Sequence, residues 1–263
     1  MKFCLPVSTL QARRLRTTFR LAKAAGFDIV ELLLAGWILK NPIEAAKMAV
    51  EEGFKEIRFH QAWTEVTSSE QQRLMRILWQ LLTKAGWLPK PGSTFWEMVP
   101  ALTPGDTVVY ADEMLEHELM SNHCVQTMST LSDGEFKMAR SEFDQRMVIS
   151  KQRVVFDTYH DLHYRPNGER ILRESSRRVL LGLLFADLEA LKDKICEIHV
   201  QDWSLRNGRS VWPGTGDLPL PEFMPEIAQS GRDGLIITPE TKLFRPTADK
   251  LKRLLGDTQD LLS

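Results

Sequence analysis

The sequence predicts an α/β protein, and a closed barrel of alternating strands and helices in preference to an open doubly wound sheet. Three observations point there. Short apolar runs alternate with amphipathic segments at roughly 30 to 40 residues per unit, which implies parallel strands joined by right-handed crossovers. The runs TVVYA (107–111), RVVF (153–156) and LII (235–237) suit strands covered on both faces. Several runs also end in a carboxylate or an imidazole, and chemistry at the C-terminal ends of different strands favours the barrel.

Residues 3–7 form the first strand. A helix follows over 10–25, where Leu15, Phe19 and Ala22 share a face and Gly26 supplies the stop. DIVELLL (28–34) is the second strand. Pro42 sits where a first helical turn tolerates proline, so residues 43–52 form a helix that ends at Gly53. KEIRFH (55–60) alternates as a strand. A long helix covers 68–84, and a Pro-rich loop, 87–104, contains a short helix at 95–99. Residues 107–111 are the next strand, and the pattern is weak until 153–156. From there strand and helix alternate clearly: helix 175–194, strand 195–200, helix 221–229, strand 235–237 and helix 248–255.

The 263 residues suit one domain over 1–263. A 43% hydrophobic, 26% charged composition is that of a soluble globular chain. The net charge of −1 argues against the broad basic footprint that nucleic acid needs. Cys4, Cys124 and Cys196 share no CxxC spacing, and Cys4 and Cys196 lie in or beside apolar runs as buried thiols, which fits a reducing compartment. The N-terminus lacks the apolar core of a signal peptide, and no run approaches the ~20 apolar residues of a membrane span. A cytoplasmic protein with no membrane or nucleic-acid partner is expected. A homo-oligomer is compatible with everything above.

The chemistry gathers in the last third. DTYH (157–160) and HVQD (199–202) follow strands, GTGD (214–217) forms a glycine loop, and Glu240 closes LIITPE. Buried acids and imidazoles are costly without partners, and their converging lone pairs are what a divalent metal requires. His117, His123 and His163 lack a strand context and are expected at the surface. Trp37, Trp63, Trp203 and Trp212 follow strands, where they can wall off a pocket.

FDTYHDL resembles the Asp-Thr-x-His segment of the xylose isomerase-like barrel superfamily. IHVQDW, WPGTGDLPLPEF and GRDGLIITPE resemble its penultimate strand, glycine loop and closing strand, and AGFDIVELLL its second strand. The resemblance implies a (β/α)8 TIM barrel of the kind found in sugar isomerases and epimerases, inosose and dehydroshikimate dehydratases, and endonuclease IV. Members of the epimerase type bind one divalent metal ion (Mn, Mg, Co or Zn) through Glu, Asp, His and Glu on successive strands. Asp157, His199 and Glu240 match the last three. Glu113 in DTVVYADEM matches the first, with Met114 where Asn is usual, and a one-residue slip would substitute Asp112.

By the same resemblance Glu113 and Glu240 form a catalytic acid/base pair for proton transfer next to a carbonyl. His160 and Arg206 or Arg209 contact a sugar-like small-molecule substrate, and His60 and Glu31 line its pocket. A three-zinc phosphodiesterase site is disfavoured, because Arg209-Ser-Val211 stands where such a site needs Asp-x-His.

One departure bears on the ligand set. Only 29 residues separate Glu31 from His60, room for one βα unit where relatives spend two, and seven strands are clear. Either one unit is shortened or missing, reduced to the turn GWILKN, or the eighth strand lies in HCVQTMS (123–129). In the latter case TVVYADE becomes the fourth strand, Glu113 leaves the ligand set, and the site is expected to bind metal weakly or not at all. Three functional readings follow: a metal-dependent isomerase or epimerase of carbohydrate metabolism, a dehydratase of a cyclic polyol or enol acid on the same site, and a non-catalytic ligand-binding barrel.

Overall fold

The computed structural model describes residues 1–7, 14–61, 107–111, 113–116, 119, 123–129, 131–132, 135–241 and 246–263. The expected helix over 68–84 and the loop over 87–104 lie outside these residues. So do Asp112, Trp63, His117 and the side chain of Glu113.

The elements run β1 (Lys2–Val7), α1 (Leu15–Ala25), β2 (Ile29–Leu34), α2 (Gly36–Lys40), α3 (Pro42–Glu51), β3 (Glu56–Gln61), β4 (Thr107–Tyr110) and α4 (Glu113–Glu116). They continue with β5 (His123–Gln126), a small hairpin β6 (Leu131–Ser132) and β7 (Glu135–Phe136), α5 (Arg140–Ile149), β8 (Arg153–Asp157), α6 (Thr158–His163), α7 (Gly168–Glu174) and α8 (Arg177–Leu191). The chain ends with β9 (Ile195–Ser204), β10 (Arg209–Val211), α9 (Leu220–Gln229), β11 (Ile236–Glu240) and α10 (Ala248–Asp260).

Among the described residues eight strands pair in parallel around a closed ring, in the order β1, β2, β3, β4, β5, β8, β9, β11 and back to β1. The eighth strand is therefore HCVQ, and no βα unit is missing from the ring. Its four residues begin with an imidazole and end with an amide, so no apolar periodicity marks it. The segment α5 escaped the pattern for a different reason. It buries Arg140, Phe143 and Met147 at helical spacing, while its most apolar pair, Val148 and Ile149, is exposed.

Local chemistry sets the helix ends. Gly26 takes the left-handed conformation (φ 106°) and returns its N–H to the carbonyls of Ala22 and Lys23, as the glycine stop required. Ser176 and Thr247 cap α8 and α10 by accepting from the N–H groups of Val179 and Lys250.

Strand alternation divides the core in two. Outward residues such as Val30, Phe59, Phe156, Ile198 and Ile237 pack with Phe19, Phe143, Leu184, Phe223 and Leu254 of the surrounding helices. Inside the ring, Cys4, Ile29 and Ile236 form one small apolar cluster and Val108, Cys124 and Val155 another. On the same inward faces, toward the C-terminal ends, the side chains turn polar: Glu31, Arg58, Glu197, His199, Thr238 and Asp157, all nearly or wholly buried.

Arg58 Nη2 meets Glu197 Oε2 at 2.8 Å with neither side chain exposed, and Thr238 Oγ1 donates to Glu197 Oε1. Burial raises the Glu197 pKa, but the Arg58 charge, followed by His199, outweighs it and holds the carboxyl at about 2. Removing one member leaves an uncompensated charge in the barrel. Arg58→Met is accordingly expected to lose about 3–5 kcal/mol of stability in urea unfolding. A loss below ~1 kcal/mol would show that the pair does not hold the interior.

Candidate metal and substrate site

Three adjacent strands, β8, β9 and β11, bring Asp157, His199 and Glu240 together. Asp157 pairs in register with His199, and Thr238, two residues before Glu240, pairs with His199 from the other side. His199 Nδ1 lies 2.9 Å from Glu240 Oε1 and 4.0 Å from Asp157 Oδ2. A donor atom from each of the three lies within 4.8 Å of the others. Two donors bound to one divalent ion at about 2.1 Å stand roughly 3–4 Å apart, so small adjustments close this set around an ion.

Asp157 does two jobs. Its Oδ1 accepts from the N–H groups of Tyr159 (2.9 Å) and His160 (2.8 Å), capping α6. Its Oδ2 faces the site and accepts from Gln126 Nε2 at 3.0 Å. The Asp-x-x-His spacing is thus a helix cap that also turns His160 toward the same place, with His160 Nε2 4.0 Å from Asp157 Oδ2. The second Asp at that spacing behaves differently. Asp202 accepts from the backbone of Trp203 (2.8 Å), Gly216 (2.8 Å) and Leu218 (3.4 Å), anchoring the glycine loop.

The electrostatics call for a cation. Around His199 stand Glu240, Asp157, Glu197 Oε1 at 3.3 Å and Glu31 Oε2 at 3.7 Å from Nε2. Four carboxylates thus surround the His199 ring, with the Arg58 guanidinium paired to one of them and the imidazoles of His60 and His160 close by. Burial lowers the His199 pKa, yet Glu31, Glu240 and Glu197 outweigh it and hold it well above the usual histidine value. Burial, then the Glu240 carboxylate, pushes Asp157 up to about 7. Burial also raises Glu240, but His199 beside it wins and holds it at about 2. His160 is pushed down to about 4, chiefly by burial. Among the described residues neither ring nitrogen of His199, nor the Oε1 of Gln126, makes a well-aligned hydrogen bond. Unfilled buried donors beside excess negative charge fit a divalent ion.

The expected site residues distribute as follows. Asp157, His199, Glu240, His160, His60 and Glu31 come together, the last two on β3 and β2, with the His60 ring stacked 5.5 Å from that of His199. Arg206 lies exposed in the turn between β9 and β10, and Arg209 is exposed on β10. Glu113 begins α4 after β4, and β5 stands between β4 and β8. The fifth strand therefore places Gln126, which the sequence reading did not single out, beside Asp157. Only its position at the end of an unrecognised strand could have signalled it.

Two histidines expected at the surface are not there. His123 is buried at the start of β5, where burial lowers its pKa, and His163 is mostly covered, its ring 5.4 Å from Tyr159. Tyr159 stacks on Trp203 at 4.1 Å, so one of the strand-following tryptophans does form an aromatic wall next to His160. Trp212 instead donates to Asp257 on α10.

No family model matches the sequence, and no curated protein matches it. Solved structures do match in fold. An endonuclease IV from Thermus thermophilus is similar over 100% of this chain and 99% of its own, at 14% identity and a TM-score of 0.56. An L-ribulose 3-epimerase is similar over 98% of this chain and 94% of its own, at 11% identity and a TM-score of 0.54. A D-tagatose 3-epimerase-like protein covers 98% of its own length and 100% of this chain, at 14% identity and a TM-score of 0.53. The fold shared with these structures is a (β/α)8 TIM barrel. No helix among the described residues is long and apolar enough to cross a membrane.

Two outcomes are expected. A Cβ at Gly216 would sit 2.2 Å from Asp202 Oδ1 and 2.7 Å from the Trp203 carbonyl. Gly216→Ala should therefore lower stability by about 1–3 kcal/mol in thermal unfolding, and an unchanged midpoint would show that the loop relaxes freely. A metal must also displace a proton from His199, whose pKa is raised. Divalent-ion affinity should rise with pH, and calorimetry should register more than one proton released per ion near neutrality, from His199 and in part from Asp157. A pH-independent affinity would remove the imidazole from the ligand set.

Proposed function

We propose that this chain is a divalent-metal-dependent isomerase or epimerase acting on a sugar or related hydroxy-carbonyl compound by proton transfer next to a carbonyl. The observation that carries the reading is the convergence of Asp157, His199 and Glu240 at the C-terminal ends of three successive strands. Asp157, His199 and Glu240 would hold the ion, with Gln126 offering an amide oxygen as a neutral further donor. When bound, such an ion polarises the substrate's carbonyl and hydroxyl oxygens as a Lewis acid.

The protein side of the reaction follows from position. Glu240 is the member of the triad whose side chain remains partly open, 23% against none for Asp157 and His199. Its Oε1 faces His199, which leaves Oε2 to take a proton from the carbon next to the carbonyl and to return it. His160, held neutral by burial, orients a substrate hydroxyl from α6. Tyr159 and Trp203 shield that side from water. Arg206 and Arg209 lie exposed at the β9–β10 hairpin, where they would meet only the outer oxygens of a substrate. Glu113, the partner acid expected from the sequence, begins α4 after the fourth strand, with the fifth strand between it and Asp157.

A second reading draws on Gln126. An amide in the position beside Asp157 can neither accept nor deliver a proton at neutral pH, which favours reactions run by a single base. Elimination of water by Glu240, as in a dehydratase of a cyclic polyol or enol acid, is such a reaction.

The test is incubation of the metal-loaded protein in D2O with a panel of ketoses, aldoses and cyclic polyols, followed by mass spectrometry and NMR. Deuterium next to the carbonyl with otherwise unchanged product mass is expected, and a mass lower by one water marks the dehydratase. Glu240→Gln should reduce the rate by about 10²–10⁴-fold. Absence of any exchange or turnover across the panel would leave a non-catalytic binding barrel.

A further inference from the structure

His199 turns its other edge toward a second set of donors. One ligand atom from each of Glu31, His60 and His199 lies within 4.8 Å of the other two. Glu31 comes from β2, His60 from β3 and His199 from β9, so three separate strands aim at one point inside the ring. Glu31 is 2% exposed, and among the described residues its Oε2 accepts no hydrogen bond while lying 3.7 Å from His199 Nε2. A carboxylate oxygen buried in that way is costly unless a cation meets it.

The two imidazoles are set up for the same purpose. His60 Nδ1 lies 2.6 Å from the Gln61 carbonyl, and a carbonyl only accepts. The proton therefore sits on Nδ1, and the lone pair on Nε2. In His199, Nδ1 lies 2.9 Å from Glu240 Oε1, so a proton there also leaves Nε2 as the donor. A carboxylate that accepts from the remote N–H of a ligating histidine orients the ring and raises its basicity. Two imidazole nitrogens and one carboxylate oxygen form a donor set suited to zinc and cobalt. The set Asp157, His199 and Glu240 is richer in oxygen and suits harder ions.

We propose that Glu31, His60 and His199 form a second divalent-cation site of the zinc type, used in alternation with the Asp157–His199–Glu240 site. The alternation follows from sharing, since a neutral imidazole has one lone pair and ligates through one nitrogen at a time. With the ion on Nε2, Glu240 is the hydrogen-bond acceptor that steadies His199. With the ion on Nδ1, Glu240 is itself a ligand, and Glu197 and Glu31 face the Nε2–H. The inference does not rest on the reaction proposed above.

Binding of Zn2+, Co2+ and Mn2+, each alone, to the purified full chain tests it. Glu31→Gln and His60→Gln are expected to weaken Co2+ and Zn2+ binding on the order of 100-fold or more, beyond what loss of an outer hydrogen-bond partner alone causes. His60→Gln should keep its Mn2+ affinity and Glu31→Gln should lose no more than the about 10–100-fold that removal of an outer hydrogen-bond partner causes, both read by electron paramagnetic resonance, which also shows that the variants are folded. Asp157→Asn should do the reverse. In wild-type protein with 15N-labelled histidine, saturating Zn2+ should move the Nε2 signal of His60. Unchanged Co2+ and Zn2+ affinity in both variants, a His60 signal that zinc leaves in place, or a wild type that binds neither ion would overturn the proposal. A wild type that binds Co2+ through Glu31 and His60 but takes up no Mn2+ would sink the Asp157–Glu240 site and leave this one standing.

Discussion

The position of His199 depends on a chain of buried charges that begins two layers below it. Arg58 neutralises Glu197, Glu197 and Glu31 flank His199 Nε2, and Glu240 takes the other edge of the ring. Apart from the partly open Glu240, these side chains are shut away from water, so each contact is stronger than its surface equivalent and each unmatched charge is more costly. The histidine cannot swing away without separating a charged pair on one side or the other. That restraint is what lets a ring on β9 serve as the fixed point around which strands β8 and β11 offer their carboxylates.

Placing charge inside a barrel also explains how the interior is layered. Apolar side chains fill the entry ends of the strands, and polar ones begin where Arg58 and Glu197 pair. An apolar floor under an ion pair keeps water from reaching it from below. The covering helices seal the outside with Phe143, Phe223 and Leu254. A further ionic cluster, in which Asp161 meets Arg140 at 3.0 Å and Arg165 at 3.1 Å, ties α6 to its neighbours and so steadies the element that carries His160.

The alternation of strands and helices was legible because buried parallel strands leave continuous apolar runs, and TVVYA, RVVF and LII all do so. The acids and imidazoles closing them were legible for the same reason: a charged residue at the end of such a run has few other uses. The fifth strand was not. HCVQ has two polar residues of four, three apart and so on opposite faces: Gln126 points into the ring and donates to Asp157, while His123 shares the outward face of Val125. Helix α5 was hidden because its buried face includes Arg140, stabilised by Asp161 and Asp187, while its apolar tail points outward. Local pattern reports side-chain polarity, whereas burial is decided by partners far away in sequence.

Finding the fifth strand alters the chemistry more than the fold. While TVVYA could be the neighbour of β8, the site had two glutamates and the symmetry of a two-base reaction. With HCVQ in that place the neighbour of Asp157 is an amide, and Gln126 donates to the carboxylate oxygen that faces His199. An amide lowers the negative charge of the site by one unit relative to a glutamate. That matters where Asp157 is already pushed up to about 7 by burial and by Glu240, because a third ionised carboxylate would drive it further toward the protonated form. Gln126 thus favours the ionised form of Asp157. Glu240 stays ionised because of the same His199, 2.9 Å away, that the Arg58–Glu197 pair holds in place.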